Sequence, residues 1–234
     1  MEFKYLIGAV AMIASTTASA VPTTFFDTIS GGQAAFDSTV TATGASVNNL
    51  TLSGLTSGTS WAFTDFTIST TDGSTASVYS ASQNNSTGQM IGIHPDSPAP
   101  LSGITFTFSS AINSLGFEVG DWATCCHPSS LYIAFDGGST QLVGTANTYN
   151  DNPAVAAGGD YGNDTIFIGA IDDTSTFTTV TFYGDGFGEF LTAGGTIKYA
   201  TVDLNSVGVP APATLALMAL GLAGIGYTRK KKLN

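Results

Sequence analysis

The sequence predicts an all-β fold, a single two-sheet antiparallel β-sandwich of jelly-roll type, and three observations carry that expectation. Ser and Thr number 24 and 34 of 234 residues, beside 28 Gly and 15 Phe, a composition of strands and turns. Short apolar stretches recur at strand length, separated by Gly, Ser, Asp and Asn clusters. Between Val21 and Val209 no stretch reads as a long helix, a heptad or a repeat, and this length of chain can bury a sizeable core as one domain.

Taken in order, strands are expected at Val47 to Leu52, Trp61 to Ile68, Ile104 to Phe108, Ser114 to Val119, Leu131 to Phe135, Thr165 to Ile168, Thr176 to Tyr183 and Thr196 to Leu204. Ile104, Phe106 and Phe108 alternate with Thr105 and Thr107, so one face packs and the other stays wet. Leu131, Ile133 and Phe135 repeat the pattern, and Asp136-Gly137-Gly138 supplies a turn. About ten strands at this spacing suit two packed sheets.

Charge narrows the function. Residues 21–209 hold 16 carboxylates and one base, Lys198, a formal charge of −15. No basic patch exists to displace phosphate counterions, which excludes nucleic acid as a partner and argues against a phosphate-handling enzyme.

Both ends read as addresses. Lys4 precedes an apolar run from Tyr5 to Ala14, and Ala18-Ser19-Ala20 puts small side chains where a signal peptidase needs them. Residues 1–20 are therefore expected to be a secretory signal peptide cut after Ala20, the run being short for an uncleaved anchor. At the other end, Val207 to Tyr227 carries no charge, and as a helix its 21 residues would rise about 31 Å, enough to cross the hydrocarbon layer. Arg229, Lys230, Lys231 and Lys232 follow as a positive stop that would stay in the cytoplasm. The expected organisation is signal peptide 1–20, β-sandwich 21–206 and C-terminal tail 207–232.

The tail carries a family resemblance. Val209-Pro210-Ala211-Pro212, a short Leu/Ala/Gly helix and the terminal base cluster resemble the PEP-CTERM sorting signal. Ala211 stands where that motif usually has Glu, so Val-Pro-Ala-Pro-Ala looks like a variant of it. The resemblance implies export by the secretion machinery of a Gram-negative bacterium and transient anchoring in the inner membrane, facing the periplasm. It further implies processing by the membrane enzyme exosortase near the Pro motif, delivery to the cell surface or matrix, and association with exopolysaccharide and biofilm. Pro210 and Pro212 keep the segment before the helix extended, as a protease site requires. Leu115-Gly-Phe-Glu-Val, Leu131-Tyr-Ile-Ala-Phe and Phe177-Thr-Thr-Val-Thr-Phe resemble the sandwich passengers such tags carry, which are similar to lectin-like and carbohydrate-binding jelly rolls.

Several residues are candidates for chemistry. Cys125 and Cys126 are adjacent and precede His127-Pro128. In an oxidising compartment the alternatives are a vicinal disulfide, free or intermolecularly paired thiols, and a metal site shared with His127. Asp151, Asp160 and Asp164 lie in a long oxygen-rich loop, where hard ligands suit calcium, the one cofactor the sequence suggests; turn-forming Asp on a solvated surface is the alternative. Trp122, with Tyr132, Tyr149 and Tyr161, offers flat faces for sugar rings, or else packs in the core or rim. A glycosidase would need two facing carboxyl groups, Glu118 with Asp121 or Asp185 with Glu189. His94 and His127 each precede Pro, and no Gly-x-Ser-x-Gly elbow accompanies them. The expected protein is a non-enzymatic, acidic, exported structural or adhesive component of an extracellular polysaccharide layer. The alternatives are a secreted carbohydrate-binding module, with or without calcium, and a matrix hydrolase.

Overall fold

Strand alternation decides which faces meet. In β7 (Gly103–Ile112), Ile104, Phe106 and Phe108 are buried while Thr105 is half-exposed and Thr107 exposed. In β9 (Ser129–Phe135), Leu131, Ile133 and Phe135 are buried and Tyr132 and Ala134 half-exposed. The computed structural model describes residues 22–94, 98–136, 140–160, 162–185 and 190–207. The segments expected as signal peptide, Pro motif, membrane helix and basic stub lie, Val207 apart, outside the described residues, within which no helix is long and apolar enough to cross a membrane.

The chain forms two antiparallel sheets packed face to face. One runs β10 (Thr140–Ala146), β9, β12 (Phe177–Gly184), β7, β4 (Phe66–Thr70), β3 (Ser60–Ala62). The other runs β1 (Thr23–Thr28), β11 (Ile166–Ile171), β8 (Ser114–Gly120), β13 (Leu191–Ala200), β6 (Met90–Ile93), β5 (Val78–Tyr79), with β2 (Asn48–Thr51) on the second half of β13. Aromatic rings join the sheets: Phe117 on β8 lies 5.2 Å from Phe106 on β7 and 5.0 Å from Phe182 on β12.

A helix departs from the all-strand expectation. α1 (Ile29–Ala42) covers the outer face of the second sheet. Its Gly31-Gly32 pair and the β-branched run Thr39-Val40-Thr41 lower its intrinsic propensity, and tertiary packing overrides that. Thr28 caps it, accepting from the Gly31 N–H at 3.3 Å. Phe36 is fully buried between Phe25 and Phe167, with ring centres 5.3 and 5.9 Å away. A β-carbon on Gly32 would sit 2.7 Å from the Phe167 ring, so glycine lets the helix approach this closely. Lys198 on β13 donates to Asp37 on α1 at 2.9 Å, so the only base of the passenger pins the helix. Covered on both faces, β8 and β11 are buried at every residue and lose the period-two signature.

Other boundaries shift. The stretch Trp61 to Ile68 is a hairpin, β3 and β4, closed by the Phe63 N–H donating to the Phe66 carbonyl at 2.8 Å. β13 begins at Leu191 and ends at Ala200, earlier than expected at both ends; its start is hidden in the sequence because Gly194-Gly195 is a bulge inside the strand. That bulge turns β13 from β6 to β2, and Gly195 has φ +65°. β1, β5, β6 and β10 are strands the periodicity does not mark.

Candidate functional site

Among the described residues no element covers the outer face of the β10–β3 sheet, and the register assembles its side chains into rows. Tyr132 on β9 is paired with Tyr183 on β12 on one side and with Leu142 on β10 on the other. The two tyrosine rings stack, centres 5.3 Å apart and planes 19° from parallel. Leu142, at 54% exposure, is one of the three most exposed large apolar side chains among the described residues. Beyond Tyr183 the row meets Gly103, which has no side chain to interrupt it. The result is an apolar row, Leu142–Tyr132–Tyr183, crossing three strands.

Hydroxyl groups flank the strip. Thr140, Ala134, Thr181, Thr105, Ser69 and Ser60 form the next row in register. The Thr105 and Thr181 hydroxyls lie 3.1 Å apart, and the Tyr183 hydroxyl donates to Thr140 Oγ1 at 3.3 Å. On the other side, the Ser130 and Thr145 hydroxyls lie 2.9 Å apart. The edges of the stacked pair and the exposed Leu142 side chain, bordered by hydroxyl donors and acceptors, can pack against the C–H groups of a sugar chain and hydrogen-bond its hydroxyls. A row that crosses three strands on an open sheet face admits an extended chain rather than a single trapped molecule.

Trp122 is corrected from surface platform to core. It is fully buried, its indole N–H donates to Ser129 Oγ at 3.0 Å, and its ring meets Phe26 edge-on at 5.3 Å. The surrounding loop is tightly constrained: Asp121, Ala123 and Cys126 have φ of +59°, +64° and +42°. Cys125 and Cys126 are joined as a vicinal disulfide. His127 Nε2 lies 3.1 Å from the Ala123 carbonyl. Tyr149 is half-exposed at the start of a short 3-10 turn, apart from the stacked pair in the sheet register; Tyr161 is outside the described residues.

The loop aspartates separate into individual roles. Asp151 is exposed and accepts from the Asn147 and Thr148 N–H groups at 2.8 and 3.0 Å; these bonds, with His127 nearby, hold its carboxyl below the usual range. Asp160 is exposed and pairs with the Asn163 amide. Asp164 is buried and accepts from the Asp121 N–H at 3.3 Å. Burial pushes both the Asp121 and Asp164 carboxyls up, and for Asp121 the charge of Asp164 adds to it. Among the described residues no group of three or more His, Cys, Asp or Glu is placed to hold a metal ion, so the structure does not bring Asp151, Asp160 and Asp164 together as a calcium set.

Glu118 is fully buried under α1. It accepts from the Thr87 N–H at 2.8 Å, the Thr196 N–H at 3.1 Å, the Gln33 amide at 3.2 Å and the Thr87 hydroxyl. Desolvation raises its pKa against these bonds. Its carboxylate clamps the β13 bulge, and a side chain at Gly195 would collide with it. Enclosed in this way, Glu118 cannot reach a glycosidic bond. Asp185 accepts from the Ser130 N–H at 3.0 Å, and Glu189, its suggested partner, lies outside the described residues.

Residues 208–231 match the PEP-CTERM protein-sorting motif. No curated protein matches the chain. Among solved structures the chain is similar to two single-residue variants of a family 29 carbohydrate-binding module, each 15% identical, with 71% of this chain and 99% of that one covered at a TM-score of 0.37. A further family 29 carbohydrate-binding module is 14% identical, with 71% and 95% covered at a TM-score of 0.33.

Proposed function

We propose that this chain is an exported, non-catalytic surface protein, processed by exosortase, that adheres to extracellular polysaccharide through the Leu142–Tyr132–Tyr183 face. The single observation that carries the adhesive reading is the in-register stack of Tyr132 and Tyr183 on an uncovered, hydroxyl-bordered sheet. The sorting motif at residues 208–231 supports export, transient anchoring by the tail and delivery to the cell surface or matrix. Thr23, just after the expected signal-peptide junction, and Val207, just before the motif, line one groove of about 400 Å³ beside α1. Val207 is tied down there, its N–H donating to Asp173 at 2.8 Å. Thr23 and Val207 therefore both lie on the α1 side of the sandwich, and the tyrosine face lies on the far side of both sheets.

The test is retention of the protein, purified from its host's envelope, on the host's own insoluble polysaccharide in high salt. Wild type should be retained and the Tyr132→Ala/Tyr183→Ala double variant should not. Equal retention of both removes the tyrosine face from the account. Release of reducing sugar from the polysaccharide would refute the non-catalytic reading.

A further inference from the structure

A second polar cleft opens at the mouth of the sandwich, where the end of β13 meets the end of β7 and the β3–β4 turn. It encloses about 220 Å³ and is lined by Asn48, Asp65, Phe108, Ser109, Tyr199 and Thr201 among others. We propose that this cleft binds a single amino-sugar unit, its ammonium group paired with Asp65 and its ring resting on the cleft floor, where the edges of Phe108 and Tyr199 emerge.

Local geometry prepares the carboxylate. The Asp65 carbonyl accepts from the Ser109 N–H at 2.8 Å and the Ser109 hydroxyl at 3.0 Å, which fixes the turn against β7. Tyr199, from the other sheet, donates its hydroxyl to Asp65 Oδ2 at 2.5 Å. Burial, then Asp65 itself, pushes the Tyr199 phenol up to about 12, so it stays protonated and keeps donating. One carboxylate oxygen is thereby held, while the Asp65 side chain as a whole remains exposed to an incoming donor. Phe108 and Tyr199, both nearly buried and with ring centres 5.2 Å apart, form the floor of the cleft with their exposed edges.

Charge and size choose the ligand class. Asp65 is the one acidic residue among those lining the cleft, and no base lies among them. The passenger's one base, Lys198, is engaged by Asp37. A uronate or a sulfated sugar would meet uncompensated repulsion here, and an ammonium would form a charge-assisted bond. The amide of Asn48 and the hydroxyls of Ser109 and Thr201 supply the remaining sugar contacts, and the volume suits one ring.

The proposal rests on the polysaccharide reading for the source of its ligand, but it is tested separately. D-glucosamine, N-acetyl-D-glucosamine, D-glucose, D-glucuronate and ethanolamine are titrated at constant ionic strength into the purified full chain, with heat as the readout. Glucosamine should bind at least tenfold more tightly than glucose or N-acetylglucosamine, and glucuronate should not bind. Asp65→Asn, which retains an acceptor for Tyr199, should reduce glucosamine to the level of glucose. The Tyr132→Ala/Tyr183→Ala variant should keep full glucosamine binding even where it has lost the polysaccharide. No preference for glucosamine, an unaltered Asp65→Asn variant, or ethanolamine binding as tightly as glucosamine would each overturn the site; the last would show attraction to the overall negative charge only.

Discussion

Tyr132 and Tyr183 sit directly opposite each other on β9 and β12, their rings stacked 5.3 Å apart. Each ring thus holds the other's orientation, so the pair forms a rigid platform that loses little rotamer freedom when a ligand lands on it. Removing the Tyr183 hydroxyl should matter far less than removing the ring. Tyr183→Phe loses only the bond to Thr140 and should retain polysaccharide binding within about threefold, whereas Tyr183→Ala should weaken it at least tenfold, about 1.4 kcal/mol. Depletion assays on insoluble polysaccharide measure both.

The α1 layer should be part of the stable core. Phe36 is fully buried against Phe25 and Phe167, and Phe36→Ala should cost about 3–5 kcal/mol in denaturant unfolding. Gly32→Ala should destabilise as well, although alanine is the better helix former, because the added methyl meets the Phe167 ring. A gain of stability from Gly32→Ala would show that the helix is not seated as described.

Stability should fall as the pH rises from the ordinary carboxylate range toward neutrality. Glu118, Asp121 and Asp164 all have native pKa values raised above 4.5, 3.8 and 3.8. Over that window the native state holds more protons than the unfolded chain, so raising the pH favours unfolding, and the −15 charge of the passenger acts in the same direction. Asp151, with its pKa lowered, contributes the opposite trend at more acidic pH, where its stabilisation is lost. The melting temperature should therefore be higher at pH 5 than at pH 7.5, and Glu118→Gln should flatten the difference. A melting temperature that climbs steadily to pH 7.5 would contradict this.

The vicinal cysteines lie in a loop with three non-glycine residues at positive φ, all within Asp121 to Cys126. Intact mass of the exported protein should increase by two hydrogens on reduction, and freshly purified protein should not react with a thiol reagent beforehand. Immediate labelling of both cysteines would contradict the disulfide.

What could be read in the sequence followed solvent exposure. β7 and β9 announce themselves because one side of their sheet is wet, which preserves the alternation of Ile104, Phe106 and Phe108 and of Leu131, Ile133 and Phe135. β8 and β11 are buried on both sides and keep no such period, and the helix responsible hides behind Gly31, Gly32 and its β-branched residues. Tyr132 stood among the sugar-facing aromatics, yet Tyr183 becomes its partner only through the pairing of β9 with β12. Trp122 misleads because a tryptophan with a buried partner for its N–H, here Ser129, reads in sequence like one at a surface. Asp65 and Tyr199 come from different sheets, and no local spacing joins them.

The central claim, an exported protein whose tail is removed before it reaches its polysaccharide, is tested most directly by terminal mass spectrometry of the protein recovered from the host's surface fraction. The account predicts a chain beginning at Val21 and ending between Val207 and Pro212, without Arg229 to Lys232. Recovery of the whole chain from the cytosol, with Met1 and Asn234 both present, would contradict it.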